Sequence, residues 1–574
     1  MLKSSGAMAV ATMASRVMGM VREIIYARFM ADGWVAGAFQ LAFMVPNLFR
    51  RLLGEGALTA SFIPLFKEKE KTEGEKEMWR AANSVISGMI IAACVIIALG
   101  MLGATVALSL RPSAAKTETK WYYVTNQSLV GPVSLERVSE LINKHKFSET
   151  SLITPNGSTQ WRPAGEVLSE YGTNLMLRLL RTMFPYLLLV CLAAVFMGML
   201  NARGHFFIPA FGSAVLNVTM IASVLWLAPR MGVELHQQIF GLAIGVLVAG
   251  VAQAAFQLPT LRREGFRYHW VSPWGDPAVQ RVVRQMIPGT IGVAAFQINV
   301  LLTQGMAFWV DPSIVASFQY AVRLMELPQG VFGISLATYL LPTLSGLAAE
   351  KKFPEFRATL NQGLDHLIFV NLLASILLFI LATPMVRLLF EHGKFGPGAT
   401  ERVSYALVCL SPGLVAFSLV NILARAFYAL SDTKTPMKVS IFCLGINLIC
   451  AMALVSHFRQ GGLGMANTLS AVCNVWLLSY ALRRKLGKLD FDSLRHALYP
   501  ILAAAVLAGL AAWGLSRFWE KSIGHEGLAC RLGAVFVPIL GATACYWLIA
   551  YWRKVPSAME IGGLLRMKFV RARK

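Results

Sequence analysis

Residues 15–64 read SRVMGMVREIIYARFMADGWVAGAFQLAFMVPNLFRRLLGEGALTASFIP. The run is too apolar for a surface segment, yet it holds Arg16, Arg22, Glu23, Arg28, Arg50, Arg51 and Glu55. An Arg at the centre of a membrane helix costs roughly 2.5–3.5 kcal/mol on insertion scales, so ionisable residues at that depth face a wet cavity or a partner. Several of them in two successive apolar helices point to a polar cavity for an anion. With the helical repeat, Ser15, Gly19 and Arg22 share one face and Arg16 lies below Glu23. Small residues beside the arginines leave room for a bulky ligand. Arg51 and Glu55 stand at i, i+4 and are placed to pair, which leaves Arg50 as the freer cation. For Arg28 and Arg51 a second reading is equally open, in which the long stems lie in the bilayer and the heads reach the interfacial phosphates.

The whole chain fits this membrane reading. Of its 574 residues 56% are hydrophobic and only 14% charged, against about 25% charged in soluble domains. The net charge of +23 does not indicate nucleic acid, because the cations cluster in short loops between apolar runs. Seven of the eight cysteines, Cys94, Cys191, Cys409, Cys443, Cys450, Cys473 and Cys545, lie inside apolar segments without metal spacing. They read as small core residues. The histidines form no HExxH pair, so neither a metal site nor a cofactor is expected. The first apolar run is broken by arginines and lacks a small-residue cleavage site, so no cleavable signal peptide is expected.

Apolar runs of about 20 residues number about fourteen. They fall near 7–30, 34–64, 81–109, 175–200, 208–228, 238–259, 285–310, 314–342, 363–389, 402–429, 437–457, 462–482, 496–516 and 528–551. Alternate loops are rich in cations: Lys67 to Arg80, Arg262 to Arg267, Lys351 to Arg357, Lys434 with Lys438, Arg483 to Lys488, and the tail from Arg553. The positive-inside rule makes these loops and both termini cytoplasmic. Gly330, Gly333, Pro342, Pro412 and Gly413 are candidate bending points, with close helix packing as the equal alternative. Asp365 and His366, near a helix start, are candidate titrating groups.

One external loop is different. Between 113 and 173 the sequence turns polar but keeps aromatic residues, which is too long for a connector and too apolar for a linker. Trp121 to Val124 reads as a strand, Gly131 to Lys146 as a turn and an amphipathic helix with Ser134 as its cap, and Ser151 to Val167 as a strand, a turn and a Trp. The order W-Y-Y, G-P-V-S, S-L-I, W-R-P-A-G resembles the bacterial GYF-like domain, some of whose members bind proline-rich peptides on aromatic side chains. Trp121, Tyr123 and Trp161 serve equally well as the core of such a small α+β module.

The motifs S-R-x-x-G-x-x-R-E at 15–23, P-N-L-x-R-R-x-x-x-E-G-A at 46–57 and F-I-P at 62–64 are followed by LNARG at 200–204, IPA at 208–210 and RLMELP at 323–328. LLP at 340–342, FYAL at 427–430 and DTKTP at 432–436 complete the set. Together they resemble the MurJ (MviN) lipid II flippase family of the MOP transporter superfamily, over nearly the whole chain outside the insert. The resemblance implies an all-α polytopic membrane protein of two pseudosymmetric bundles that alternate access to a central cavity. It divides the chain into core helices at 1–112, the external insert at 113–173, core helices at 174–490 and a C-terminal helix pair with a basic tail at 491–574. It implies lipid II, an undecaprenyl diphosphate, as substrate in the bacterial inner membrane, no catalysis, and membrane lipids as partners; the GYF-like insert, a departure from the usual pattern of the family, adds a proline-rich or periplasmic protein as a candidate partner.

The family's substrate-contacting arginines fall on Arg16, Arg22, Arg50 and Arg323, with Glu55 functionally sensitive and Ser15, Gly19 and Glu23 beside them. Arg51, Glu326 and Arg28 are secondary candidates. Gly37 and Val322 stand where relatives carry acidic residues, and Met44 where some carry Lys. Two other classes remain open: a MOP exporter of drugs or another lipid-linked saccharide, and a membrane enzyme acting on polyprenyl diphosphates. The enzyme would need a carboxylate cluster for a metal, and Asp432 stands alone in the sequence.

Overall fold

The structure is a computed structural model that describes residues 2–54, 57–111, 120–125, 128–143, 146–148, 150–156, 158–487, 491–560 and 562–563. It falls into two compact units, one of Met1–Ala316 with Gly393–Phe395, the other of Ser317–His392 with Gly396–Lys574.

The first unit opens with α1 (Leu2–Met30), α2 (Trp34–Phe49) and α3 (Ala57–Thr72), then α4 (Glu75–Ser109). Pro46 lies inside α2, and a π-helical segment, Arg50–Gly54, separates α2 from α3. After the insert come α6 (Ala164–Met183), α7 (Tyr186–Ala202), α8 (Phe207–Ala222), α9 (Leu235–Arg263) and α10 (Pro277–Val310). The α6–α7 pair bends by 46°, and Pro185 sits at the break. Phe62 and Phe66 of α3, Met78 of α4, Leu187 and Met199 of α7 and Phe266 form the buried core of this unit.

The second unit holds most of α11 (Pro312–Pro328), which passes through a π-helical segment, Gln329–Ile334, into α12 (Ser335–Ala349). It continues through α13 (Phe353–Ile380), α14 (Ala382–Phe390), α15 (Pro397–Leu410), α16 (Gly413–Ala429), α17 (Lys434–Leu486), α18 (Phe491–Ser522) and α19 (Leu528–Trp552). The α15–α16 pair bends by 46° around Pro412. Within α17 the backbone leaves helical geometry at Arg459. The two halves run back along each other, because Asn447 donates to Asn467 at 3.0 Å and Ser470 to the Cys443 carbonyl at 2.7 Å. Helices α18 and α19 pack on α13 through Ala504, Ala508 and Ala542, small residues that permit close approach. The Tyr546 hydroxyl donates to the Phe369 carbonyl at 2.7 Å.

By length and apolarity alone eight described helices qualify as spans, or ten with each bent pair counted as one. With α1 added, α2–α3 and α11–α12 also taken as single broken rods and α17 as two, the order matches the expected sequence of about fourteen. The expected bends at Gly330, Gly333 and Pro412 coincide with the second π segment and the α15–α16 break. Close packing holds as well, since a Cβ on Gly333 would meet the Ser418 hydroxyl at 2.8 Å.

The insert is a four-stranded antiparallel sheet of order β2-β1-β3-β4, built from β1 (Trp121–Thr125), β2 (Ser128–Val133), β3 (Leu152–Pro155) and β4 (Arg162–Pro163), with α5 (Leu135–Asn143). The Ser134 hydroxyl accepts from the Arg137 amide at 3.3 Å, as the cap reading requires. Trp121 is buried and meets Tyr171 edge-on, whereas Trp161 is 40% exposed. Only the first of these tryptophans is therefore core. Helix α6 runs without a break from Ala164, inside the insert, to Met183 in the bundle. The division expected at 173 thus falls inside a helix, because no proline interrupts residues 164–183.

Candidate functional site

In the first unit the expected cationic face is turned toward α8. The Arg22 guanidinium is only 14% exposed. Its Nη1 donates to Asn217 Oδ1 at 3.0 Å, and its Nη2 to Glu23 Oε1 at 2.5 Å. Its Cζ stands 5.5 Å from the centre of the Tyr26 ring. Asn217 Nδ2 reaches back to the Ser15 carbonyl at 3.3 Å, and a Cβ on Gly19 would meet that same amide nitrogen at 3.7 Å. Ser15, Gly19 and Arg22 therefore gather around one neutral amide, as their shared helical face predicts. An enclosed charge needs this much company, because an unpaired one is costly to bury. Even so, Arg22 Nε is enclosed without a hydrogen-bond partner. Arg16 on the same helix is exposed.

Arg50 is the first residue of the π-helical segment, and its Nε donates to Asn47 Oδ1 at 2.7 Å. It is thus tethered, where the sequence suggests a loose cation. Glu55 lies outside the described residues, so its expected pairing with Arg51 is not addressed; Arg51 itself is exposed. Arg28 is also exposed, and its carbonyl accepts from the Lys394 amide at 3.0 Å.

In the second unit Arg323 Nη1 donates to Glu326 Oε2 at 2.7 Å, one helical turn on, with both side chains partly open. The two candidates of this unit are therefore brought together, just before the π-helical segment that follows Pro328. The same unit holds a cavity of about 530 Å³ lined by Arg357, Asn361, Asp365, His366 and Glu560 among others. His366 Nε2 lies 3.1 Å from Glu560 Oε2.

At Gly37, where the resemblance would place an acidic residue, the backbone leaves no space for one. A Cβ there would lie 1.9 Å from the Pro312 carbonyl oxygen, so α2 cannot carry an acidic side chain at this point. Val322 is only half-buried, and nothing in the structure explains its replacement of Asp.

Two loop motifs act as clamps. Arg203 of LNARG binds Glu70 at 2.5 Å, Glu75 at 2.8 Å and Glu264 at 2.8 Å, which joins three loops at one end of the first unit. Hydrogen bonds from His205 and Arg203 hold the Glu264 carboxyl below the usual carboxylate range. Asp432 of DTKTP accepts from Lys485 Nζ at 2.7 Å and caps the Thr435 amide at 3.0 Å. Those contacts, the lysine foremost, lower its carboxyl to about 2.

The residues missed by the sequence reading are Asn217 and Tyr26. A lone Asn in the apolar run SAVLNVTMIA was the available signal, since a buried amide in a membrane seeks a partner across the helix interface.

The family model described as "Lipid II flippase MurJ" matches residues 26–130 and 167–529, and that of "GYF domain 2" matches 121–168. A protein of Vibrio cholerae serotype O1 named "Probable lipid II flippase MurJ" is 31% identical over 90% of this chain and 89% of its own. A solved structure described as "Lipid II flippase MurJ, inward closed conformation" superposes with a TM-score of 0.69 at 19% identity, covering 95% of this chain and 99% of that one. An inward-facing multidrug resistance MATE transporter of the MOP superfamily follows with a TM-score of 0.57 at 13% identity, covering 84% and 99%. The two structural likenesses concern the fold alone; the match across the sequence goes further, and by it the chain belongs to the lipid II flippase MurJ family.

Proposed function

We propose that this chain carries lipid II from the cytoplasmic to the periplasmic leaflet of the bacterial inner membrane by alternating access, with both termini in the cytoplasm. The observation in its own residues that carries the reading is Arg22. It is a guanidinium enclosed in a membrane bundle, oriented by a neutral amide, and left with a donor to spare. A diphosphate offers acceptor oxygens and enough negative charge to compete with Glu23 for that fork. Arg50 and Arg323, each beside a helix break, supply the further cations on this reading. The insert, with Trp161 at its surface, offers an aromatic site to a proline-rich periplasmic segment.

The test is complementation of a MurJ-depleted bacterium, together with lipid II binding and translocation in proteoliposomes at matched protein levels. Arg22→Ala, Arg50→Ala and Arg323→Ala should each abolish translocation. The Lys variants should rescue only in part, because the charge survives and the fork does not. Arginines that merely anchored helices at the headgroups would be replaced fully by Lys, and that result would remove the cavity. Equal binding of other lipid-linked saccharides or of drugs would favour a broader exporter.

A further inference from the structure

Three side chains from distant parts of the first unit meet at the end opposite the Arg203 clamp. Glu136 lies in the first turn of α5, in the insert. Glu234 is the N-cap of α9, and His236 sits in the first turn of that helix. His236 Nδ1 lies 2.7 Å from Glu136 Oε1, and both side chains are largely buried. One donor atom from each of the three lies within 4.8 Å of the others. His236 Nε2, on the other edge of the ring, is enclosed and has no hydrogen-bond partner, so Nδ1 is the nitrogen turned to the carboxylates. Lys394 also faces both carboxylates, with its ammonium 5.7 Å from the centre of the Phe29 ring.

We propose that Glu136, Glu234 and His236 bind a divalent transition metal, Zn²⁺ foremost, which staples the insert to the start of α9. Imidazole nitrogen and carboxylate oxygen are both donor types that Zn²⁺ takes, and three protein ligands leave the fourth tetrahedral position to water. The histidine disfavours Mg²⁺ and Ca²⁺, which take oxygen ligands. Ligand bonds of about 2.0–2.2 Å place tetrahedral donors roughly 3.3 Å apart. The 2.7 Å between His236 and Glu136 is shorter than that and the remaining separations stay within 4.8 Å, so side-chain movements of an ångström or so complete the site. Gln237 Oε1 accepts from the Glu234 amide at 3.4 Å, and that contact at the start of α9 helps position the residue that carries one ligand. Lys394 is the competing cation, and the metal must hold the carboxylates against it.

The experiment uses the full chain without a histidine tag, purified in detergent. Metal content is read by mass spectrometry after dialysis, and Zn²⁺ affinity by calorimetry. Wild type should bind one Zn²⁺ per chain. Glu136→Gln and His236→Ala should each weaken binding by at least about tenfold, while Lys394→Gln, which removes the competing charge, should tighten it. Zn²⁺ should also slow amide exchange in α5 and at the start of α9 in wild type and not in Glu136→Gln. Wild type without stoichiometric Zn²⁺, or Glu136→Gln binding as wild type does, would overturn the site. Neither outcome bears on lipid II transport, which does not depend on it.

Discussion

The amide of Asn217 can be removed or charged without touching an arginine, which separates orientation from charge. Arg22 Nη1 and Asn217 Oδ1 lie 3.0 Å apart, and a hydrogen bond to a charged group contributes about 1.5–3 kcal/mol. In Asn217→Ala the guanidinium keeps Glu23 and loses its lateral support. Lipid II affinity should then fall about tenfold, the equivalent of about 1.4 kcal/mol. Asn217→Asp goes further. A carboxylate at this distance attracts the guanidinium by about 5 kcal/mol at an effective dielectric of about 20, much of it offset by desolvation. Folding stability should therefore change little, while an arriving diphosphate meets a second resident anion and binds more weakly than in the Ala variant. The assay is lipid II binding and translocation in proteoliposomes, with thermal unfolding of the same preparations. If Asn217 only joined α1 to α8, Asp would transport as wild type does whenever it folds; that result would refute the orientation argument.

Gly37→Asp, the acidic residue the resemblance leads one to expect, drives a Cβ to 1.9 Å from the Pro312 carbonyl oxygen. It should cost about 1–3 kcal/mol or more and lower abundance in membranes, whereas Val322→Asp at a half-buried position should be tolerated. In a background lacking native cysteines, Ser158→Cys should react with an impermeant thiol reagent in whole cells and Ser431→Cys should not; the reverse would overturn the proposed orientation. Asp432→Asn should cost about 0.5 kcal/mol, since the ion pair with Lys485 is partly exposed. The folded carboxyl is lowered to about 2 from an ordinary 3.8. Its contribution is therefore complete above about pH 4 and lost only as pH falls toward 2, so the loss of thermal stability should be equal at pH 5.5 and pH 8.

The parts of this architecture that were legible in the sequence are those that local physics writes down. Arginines in apolar runs mark a polar interior, and Ser134 marks a helix start because a cap is a three-residue event. The partner of Arg22 was not legible, because Asn217 lies 195 positions away and no periodicity links α1 to α8. The same holds for Glu136 and His236, which are 100 positions apart and meet only when the insert docks. The absence of metal spacing in the sequence therefore carried no information about that corner. Gly37 was visible as a departure from relatives, but its reason is a backbone oxygen from another segment. The continuous α6 was hidden for a different reason: Gly172 and the change to polar composition suggest a stop, while tertiary packing against Pro312 and Phe308 carries the helix through.

The irregularities of the two units recur at an interval of six rods. The second rod breaks into a π-helical segment at Arg50 and the eighth does so just after Pro328, with Arg323 less than two turns earlier. The fourth and tenth rods each bend by 46°, at Pro185 and Pro412. The loops that follow these bent rods carry the Arg203 and Asp432 clamps. A π-helical turn widens the backbone ladder, and a proline removes a rung from it, so these are the places where a helix changes direction at least cost. The clamps tie loops within each unit through charged hydrogen bonds and resist such change. A transporter of this class needs both behaviours, cations that move with a substrate and rod ends that hold their bundle together. In this chain the candidate cations Arg50 and Arg323 stand at the yielding positions, and the ion pairs stand at the fixed ones. This is the distribution expected if a local change of backbone at each break moves its arginine while the rest of the unit stays rigid.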